Sequence, residues 1–268
     1  MEEPVVVGVD GSPSSMDAVS VAAGEARLRG CGLKVVHAFI WPVMHVPLGP
    51  SPLGPAEGGL RNIAERLVAD AVDRARSVAP EVPVTGALVT GEALTVLEHR
   101  SQTACLVVVG SRGLGGFLGL LLGSTAVHLA AHGRCPVMVV RGRGSGAGPV
   151  LLGLDRSDAG RGAVGFAFEE AALRGTRLVA LEAGERRPAA ASLAGRQERY
   201  PDVPVEHTVV QGGAREELIA ASAEAGLVVV GARGRGGFTG LLLGSVSQAV
   251  LHHARCPVVV VRGPGVRR

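Results

Sequence analysis

A stretch of 37 residues occurs twice in this chain, and that duplication limits what it can fold into. Residues 105–141 read CLVVVGSRGLGGFLGLLLGSTAVHLAAHGRCPVMVVR, and residues 226–262 read GLVVVGARGRGGFTGLLLGSVSQAVLHHARCPVVVVR. Without gaps they agree at 24 of 37 positions, which chance does not produce. Self-similarity on this scale marks repeated structural units. The match extends backwards more weakly: Val5–Asp10 corresponds to Val150–Asp155, and Leu28–Gly30 to Leu173–Gly175, both 145 residues apart. By Gly91 and Gly212 the offset is 121, so the second copy lacks 24 residues in between. A Gly-rich segment at 142–148 has the composition of a flexible linker. The predicted domains are therefore residues 1–141 and 149–262, with a linker at 142–148 and a tail at 263–268.

Within the first copy, apolar β-rich runs lie near 4–9, 33–38, 84–89, 105–109 and 136–140. They are continuous rather than alternating, as in strands buried on both faces of a parallel sheet. Between them lie segments of helical character. In 60–78, Ile63, Leu67, Ala71 and Ala75 repeat every four residues and predict an apolar helix stripe. Strand–helix alternation gives an α/β fold, here two tandem doubly wound domains with right-handed crossovers. The missing residues fall on the second helical connection of copy two, at 183–203, which predicts a stunted helix. With aromatics at only 3%, Val, Leu and Ala must supply the core.

Composition removes several functions. A net charge of +3 over 268 residues, without basic runs interleaved with aromatics, argues against nucleic acid. Lys34 is the only lysine, so no second one is available to grip a phosphate or form a Schiff base. The start, Met1-Glu2-Glu3-Pro4, lacks a positive segment followed by an apolar one, and no apolar run approaches membrane-span length. A cytoplasmic protein without membrane association is expected. Cys31, Cys105, Cys135 and Cys256 form no CxxC pair and read as small buried hydrophobes.

The candidate chemistry lies after the fourth strand, because ligands of such sheets bind beyond the carboxyl ends of the strands. Gly110-Ser111-Arg112-Gly113 is followed by Gly115-Gly116 and then Gly123-Ser124-Thr125, which opens a helix. The second copy has Gly231-Ala232-Arg233-Gly234, Gly236-Gly237 and Gly244-Ser245-Val246. Glycines let a phosphate approach the backbone, and helix N-termini attract anions through unpaired N–H groups and the helix dipole. The Ser124 hydroxyl and the Arg112 guanidinium add donors. The competing reading is that the glycines shape a tight connection and Ser124 caps the helix.

The spacing Gly-x2-Gly-x9-Gly-Ser, present at Gly110, Gly113, Gly123, Ser124 and at Gly231, Gly234, Gly244, Ser245, resembles the ATP-binding signature of the universal stress protein family. Val9-Asp10-Gly11-Ser12, His37-Ala38 and the Arg-Cys-Pro-Val at Arg134 and Arg255 resemble the same family. The resemblance implies strand order 3-2-1-4-5 in five-stranded domains, paired through their last strands as an internal pseudo-dimer, with homodimerisation open. It also implies ATP, alone or with magnesium, between strands one and four. Gly8, Asp10 and Ala38 match positions around the adenosine, and residues 110–116 and 123–125 match ribose and phosphate contacts. In copy two the matches are Gly153, Asp155, Ala183 and the loop from Gly231 to Val246. Two residues depart from copy one: Arg156 replaces Gly11, and Glu182 stands where His37 does. Both bear on the second adenosine pocket.

A stress-response or signalling protein is implied, in which nucleotide occupancy regulates binding to an unidentified protein partner. A slow ATPase or phosphoryl transferase is the enzyme alternative. Phosphoryl transfer needs a metal, a placed nucleophile and cationic help, and no metal-ligand set recurs, so at most weak hydrolysis is expected. A module that no longer binds nucleotide is the third reading. Asp10 and Asp155 either cap the following helix or bond to the adenosine. His128 and His132, four apart, have metal-ligand spacing, but copy two has Ala249 and His253 there. Trp41 is expected to anchor its loop, and Leu118–Leu122 to pack within the protein.

Overall fold

The computed structural model describes residues 3–40, 59–113, 122–142, 147–155, 157–184, 190–234 and 243–263. The valine runs form the strands: β1 Val5–Gly8, β2 Leu33–Phe39, β3 Val84–Thr90, β4 Leu106–Gly110 and β5 Val137–Val140 in the first half. The second half has β6 Val150–Leu154, β7 Leu178–Ala183, β8 Val205–Val210, β9 Leu227–Gly231 and β10 Val258–Val261. The helices between them are α1 Pro13–Arg29, α2 Leu60–Val78, α3 Ala93–Arg100 and α4 Ser124–His132, then α5 Asp158–Arg174, α6 Ala190–Gln197, α7 Ala214–Ala221 and α8 Ser245–His253.

Side chains alternate across a strand, so each valine run divides between two cores. Val5, Val7, Leu106, Val108 and Met138 pack on the face covered by α1 and α2, with Ala18, Ala22, Ala26, Ala71 and Ala75. Val6, Val107, Val109, Val137 and Val139 pack on the opposite face, with Leu97, Ala126, Leu129 and Ala130 of α3 and α4. The second half repeats the division, and both cores run unbroken from one half into the other. Alanine lets the helices lie close to the sheet, which is how a chain so poor in aromatics closes its interior.

The order of strands is β3-β2-β1-β4-β5-β10-β9-β6-β7-β8, a single ten-stranded sheet in which each half follows 3-2-1-4-5. All pairings within a half are parallel. Only β5 and β10 meet antiparallel, with Met138 opposite Val259, Val137 opposite Val260 and Val139 opposite Val258. Val259 is the repeat equivalent of Met138, so the junction is self-complementary about a local twofold, like an isologous dimer interface. Neither last strand is left as an open edge.

A second junction contact repeats this symmetry with charge. Glu25 and Arg29 on α1 are the equivalents of Glu170 and Arg174 on α5. Arg29 bonds to Glu25 and across to Glu170; Arg174 bonds to Glu170 at 2.9 Å and across to Glu25. Both glutamates are buried, and burial together with the neighbouring Glu25 charge pushes the Glu170 carboxyl above the usual range, against the pull of the arginines. Such a quartet adds little net stability over apolar packing, but it penalises any arrangement that leaves one charge unpaired.

Two expectations need adjustment. The helix at 60–78 forms, but its buried face is Ala64, Val68, Ala71, Val72 and Ala75, while Ile63 is 52% exposed. Each i,i+4 step advances about 40° around a helix of 3.6 residues per turn, so a strict four-residue row winds off the buried face. The four cysteines are free; Cys31 and Cys256 are buried, whereas Cys105 and Cys135 are half-buried. Burial pushes the thiols of Cys105, Cys135 and Cys256 up to about 12, so they stay protonated at neutral pH. The shortened connection of the second half carries α6, 8 residues long against 19 in α2.

Candidate functional site

The carboxyl ends of β1 and β4 open a gap because the strands turn to opposite faces there. At the end of β1 the Asp10 Oδ1 accepts the Ser12 N–H at 3.0 Å, an Asx turn. Ser12 then caps α1: its Oγ accepts the Ser15 N–H at 3.2 Å and donates to the Arg112 carbonyl at 3.3 Å. The start of α1 is thereby tied to the glycine loop after β4. The second half builds the same knot: Ser157 N–H to Asp155 Oδ1 at 2.6 Å, Gly160 N–H to Ser157 Oγ at 3.0 Å, and Ser157 Oγ to the Arg233 carbonyl at 2.8 Å. The aspartate thus shapes the turn while the serine supplies the cap.

The glycine loops are clamped at both ends. The Gly123 N–H donates to the Ser111 carbonyl, and the Gly244 N–H to the Ala232 carbonyl, each at 2.8 Å. Gly123 and Gly244 are the N-caps of α4 and α8, with no side-chain cap bond. Ser124 and Ser245 are the first helical residues and do not cap; both line the cavities.

In the first half the gap is a cavity of about 470 Å³. Gly8 and Asp10 from β1 and its turn, and Ala38 from β2, line one side. Gly110, Arg112, Gly113, Gly123, Ser124 and Thr125 line the other. A Cβ at Gly113 would lie 2.4 Å from Asp10 Oδ2, so glycine there lets the carboxylate rest against the loop backbone. In the second half a cavity of about 320 Å³ is lined by Gly153, Asp155, Gly231, Gly234, Gly244, Ser245 and Val246. There a Cβ at Gly234 would lie 3.1 Å from Asp155 Oδ2, a looser fit.

Other expected positions lie outside the cavity linings. Ser111 is buried with its hydroxyl 3.5 Å from that of Ser14. Ala183 ends β7 and is exposed, while Leu181 lines the second cavity; Ala232 and Arg233 flank its loop. Gly115, Gly116, Gly236, Gly237, Arg156, Trp41 and the segment 118–121 lie outside the described residues. His37 Nδ1 donates to the Val9 carbonyl at 2.7 Å and fixes the end of β1. Glu182, its counterpart, meets His207 Nε2 at 3.2 Å.

Sequence reading missed the apolar wall. Ala93 and Leu97 of α3 line the first cavity, and Ala214 and Leu218 of α7 line the second. A Cβ at Gly8 would sit 2.6 Å from Leu97 Cδ1, so the strand-end glycine makes room for this leucine. The signal was present, since Ala93/Ala214 and Leu97/Leu218 share the 121-residue offset. His128 Nε2 meets Glu98 at 3.0 Å and its ring stacks on His132 at 4.1 Å. Among the described residues no group of three or more His, Cys, Asp and Glu side chains is placed to hold a metal ion. Nor is any described helix long and apolar enough to cross a membrane.

Two tandem α/β halves in one sheet, each with a glycine-loop cavity at its strand ends, define the structural class. The universal stress protein family profile matches residues 1–141 and 182–262. The chain belongs to that family. It is 38% identical over 285 residues to the universal stress protein Rv2623 of Mycobacterium tuberculosis, covering 96% of each chain. A universal stress protein of Mycolicibacterium smegmatis is 38% identical over 290 residues, with 97% of each chain covered. Among solved structures, a universal stress protein from Archaeoglobus fulgidus superposes with a TM-score of 0.77 at 19% identity, covering 99% of this chain and 100% of that one. The last comparison concerns the fold alone.

Proposed function

We propose that this protein binds ATP, and that occupancy of its two cavities regulates interactions with a protein partner in stress response or signalling. The observation that carries the reading is the polarity of the first cavity. One end is apolar, formed by Val36, Ala38 and Leu97, and suits a purine ring. The other end presents the α4 N-terminus, Ser124, Thr125 and Arg112, and suits phosphate. Asp10 also lines the cavity, and on this reading its carboxylate accepts from a ribose hydroxyl.

The first cavity is the stronger site on this reading, since it is larger and its loop fits more closely around the aspartate. Magnesium would ride on the phosphates rather than in a protein cage. Among the described residues that line the two cavities, none supplies a base together with a nucleophile-orienting partner, so hydrolysis should be slow.

Calorimetric titration of nucleotide-stripped protein with ATP and magnesium tests the proposal. Two equivalents per chain are expected, with the tighter one lost when Ser124 and Thr125 are both replaced by bulky residues. A folded sample that takes up no ATP would leave an interaction module without nucleotide.

A further inference from the structure

Where β5 ends, the first cavity meets the second half of the molecule. Ser111, just before Arg112, donates its N–H to the Val140 carbonyl at 3.0 Å, so Arg112 and Arg141 emerge from neighbouring strand ends. Arg141 crosses the junction: its Nη1 donates to the Leu251 carbonyl near the end of α8, and its Nε is buried with no hydrogen-bond partner among the described residues. Leu251 is followed by His252, in the last turn of α8. Burial and then the Arg112 charge lower the Arg141 pKa; burial, then His253 and Arg141, lower that of His252. These cations crowd one another, and among the described residues no carboxylate is one of the groups that act on Arg141 or His252.

The equivalent seam beside the second cavity is balanced differently. Arg262, the counterpart of Arg141, is pressed by burial, Arg134 and Arg233, but Glu98 opposes them. The position equivalent to Glu98 in the first seam is Ile219. Among the described residues the first seam therefore gathers positive charge and an orphaned buried N–H without a neutralising acid, and it is joined to the first cavity through Arg112, which lines that cavity and acts on Arg141. An anion is the group that would relieve both conditions.

We propose that the first seam receives the terminal phosphates of a nucleoside triphosphate seated in the first cavity, with Arg112 and Arg141 as the gripping cations and His252 of the second half facing them. The inference rests on the nucleotide reading above and adds two things to it. The first cavity selects for phosphate chain length, and its ligand touches groups held by the other half. A monophosphate would fill the cavity but stop short of the seam. The second cavity, with Glu98 at its seam, discriminates less.

The test compares ATP with AMP by two-site calorimetry on the full chain. For the tighter site, ATP should exceed AMP by about ten- to hundredfold, the worth of one to two charge-assisted hydrogen bonds. Arg141→Gln should remove most of that ratio and leave AMP affinity unchanged. An unchanged ratio in a folded Arg141→Gln chain would overturn the seam and leave the cavity reading standing. Glu98→Gln, on the more exposed seam, keeps the test independent of how Arg141→Gln folds: it should raise the ATP-to-AMP ratio of the weaker site, and no rise would count against the proposal. If the wild-type chain binds neither nucleotide, the nucleotide reading falls and the seam proposal falls with it.

Discussion

The two halves share a strand order, a knot of serine and aspartate, and a clamped glycine loop, yet their cavities differ by about 150 Å³. Likeness is concentrated where backbone geometry leaves little choice. The clamp of each loop has the same 2.8 Å length, and buried Ser101 and its equivalent Ser222 accept the Arg134 and Arg255 N–H groups at 2.9 and 3.0 Å. Difference lies at single positions on and beside the cavities and in the connection that carries α2 or α6. His37 ties β2 to the end of β1, whereas Glu182 turns to His207 on β8. Duplication thus preserved the frame and the Ala93–Leu97 wall, repeated as Ala214 and Leu218, while other lining positions diverged, Val36 against Leu181 and Thr125 against Val246.

The largest expected effect tests where the halves are most alike. Replacing Glu170 by Ala leaves Arg29 and Arg174 short of a carboxylate in a buried site, at a cost of about 3–5 kcal/mol. Glu25→Ala should cost the same, because each glutamate serves both arginines. Urea midpoints of the two variants measure this; a clear inequality would show that the junction is not energetically symmetric.

Glycine loops should respond unequally. Gly113→Ala drives its methyl into a carboxylate already held by the Ser12 N–H, whereas Gly234→Ala needs a shift of a few tenths of an ångström. Displacing one charged hydrogen-bonding group costs about 1.5–3 kcal/mol, so Gly113→Ala should weaken ATP binding at the first site by roughly ten- to hundredfold. Gly234→Ala should weaken the second site less. Calorimetry showing equal losses would remove the distinction drawn between the two fits.

Caps should behave alike again. Ser12→Ala and Ser157→Ala each remove an N-cap bond and a tie to the glycine loop, at about 1 kcal/mol apiece by thermal melting. A markedly larger loss in one half would reveal a load on that knot beyond capping.

The smallest effect concerns His252, whose equivalent in the first half is Ala131. Burial, then His253 and Arg141, lower its pKa from the ordinary 6.5. The unfolded chain therefore takes up the proton first as pH falls, and stability declines from about pH 6.5 down to the folded-state pKa. His252→Ala should flatten that part of the stability–pH curve, which chemical denaturation at several pH values would reveal. A steeper slope in the variant would reverse the assigned sign.

Much of the architecture was legible in residue order because it rests on local rules. Continuous valine runs can satisfy only strands buried on both faces, and the 24 identities of the repeat force two like units. Glycines at 110, 113 and 123 marked the loop because close backbone approach excludes a Cβ. Leu97 and Leu218 escaped notice, for their role depends on Gly8 and Gly153, far away in the chain. Ile63 was assigned inward by spacing, although which helix face meets the sheet is settled only when the helix docks.

Sequence by itself therefore determined the duplication, the parallel sheet and the place of the glycine loops, all consequences of periodicity and of what each backbone can tolerate. Tertiary structure alone decided that Glu25, Arg29, Glu170 and Arg174 share one buried quartet, and that Arg141 reaches across to α8. The partners that meet across the junction are separated by more than a hundred residues, and only the antiparallel meeting of β5 with β10 brings them within range.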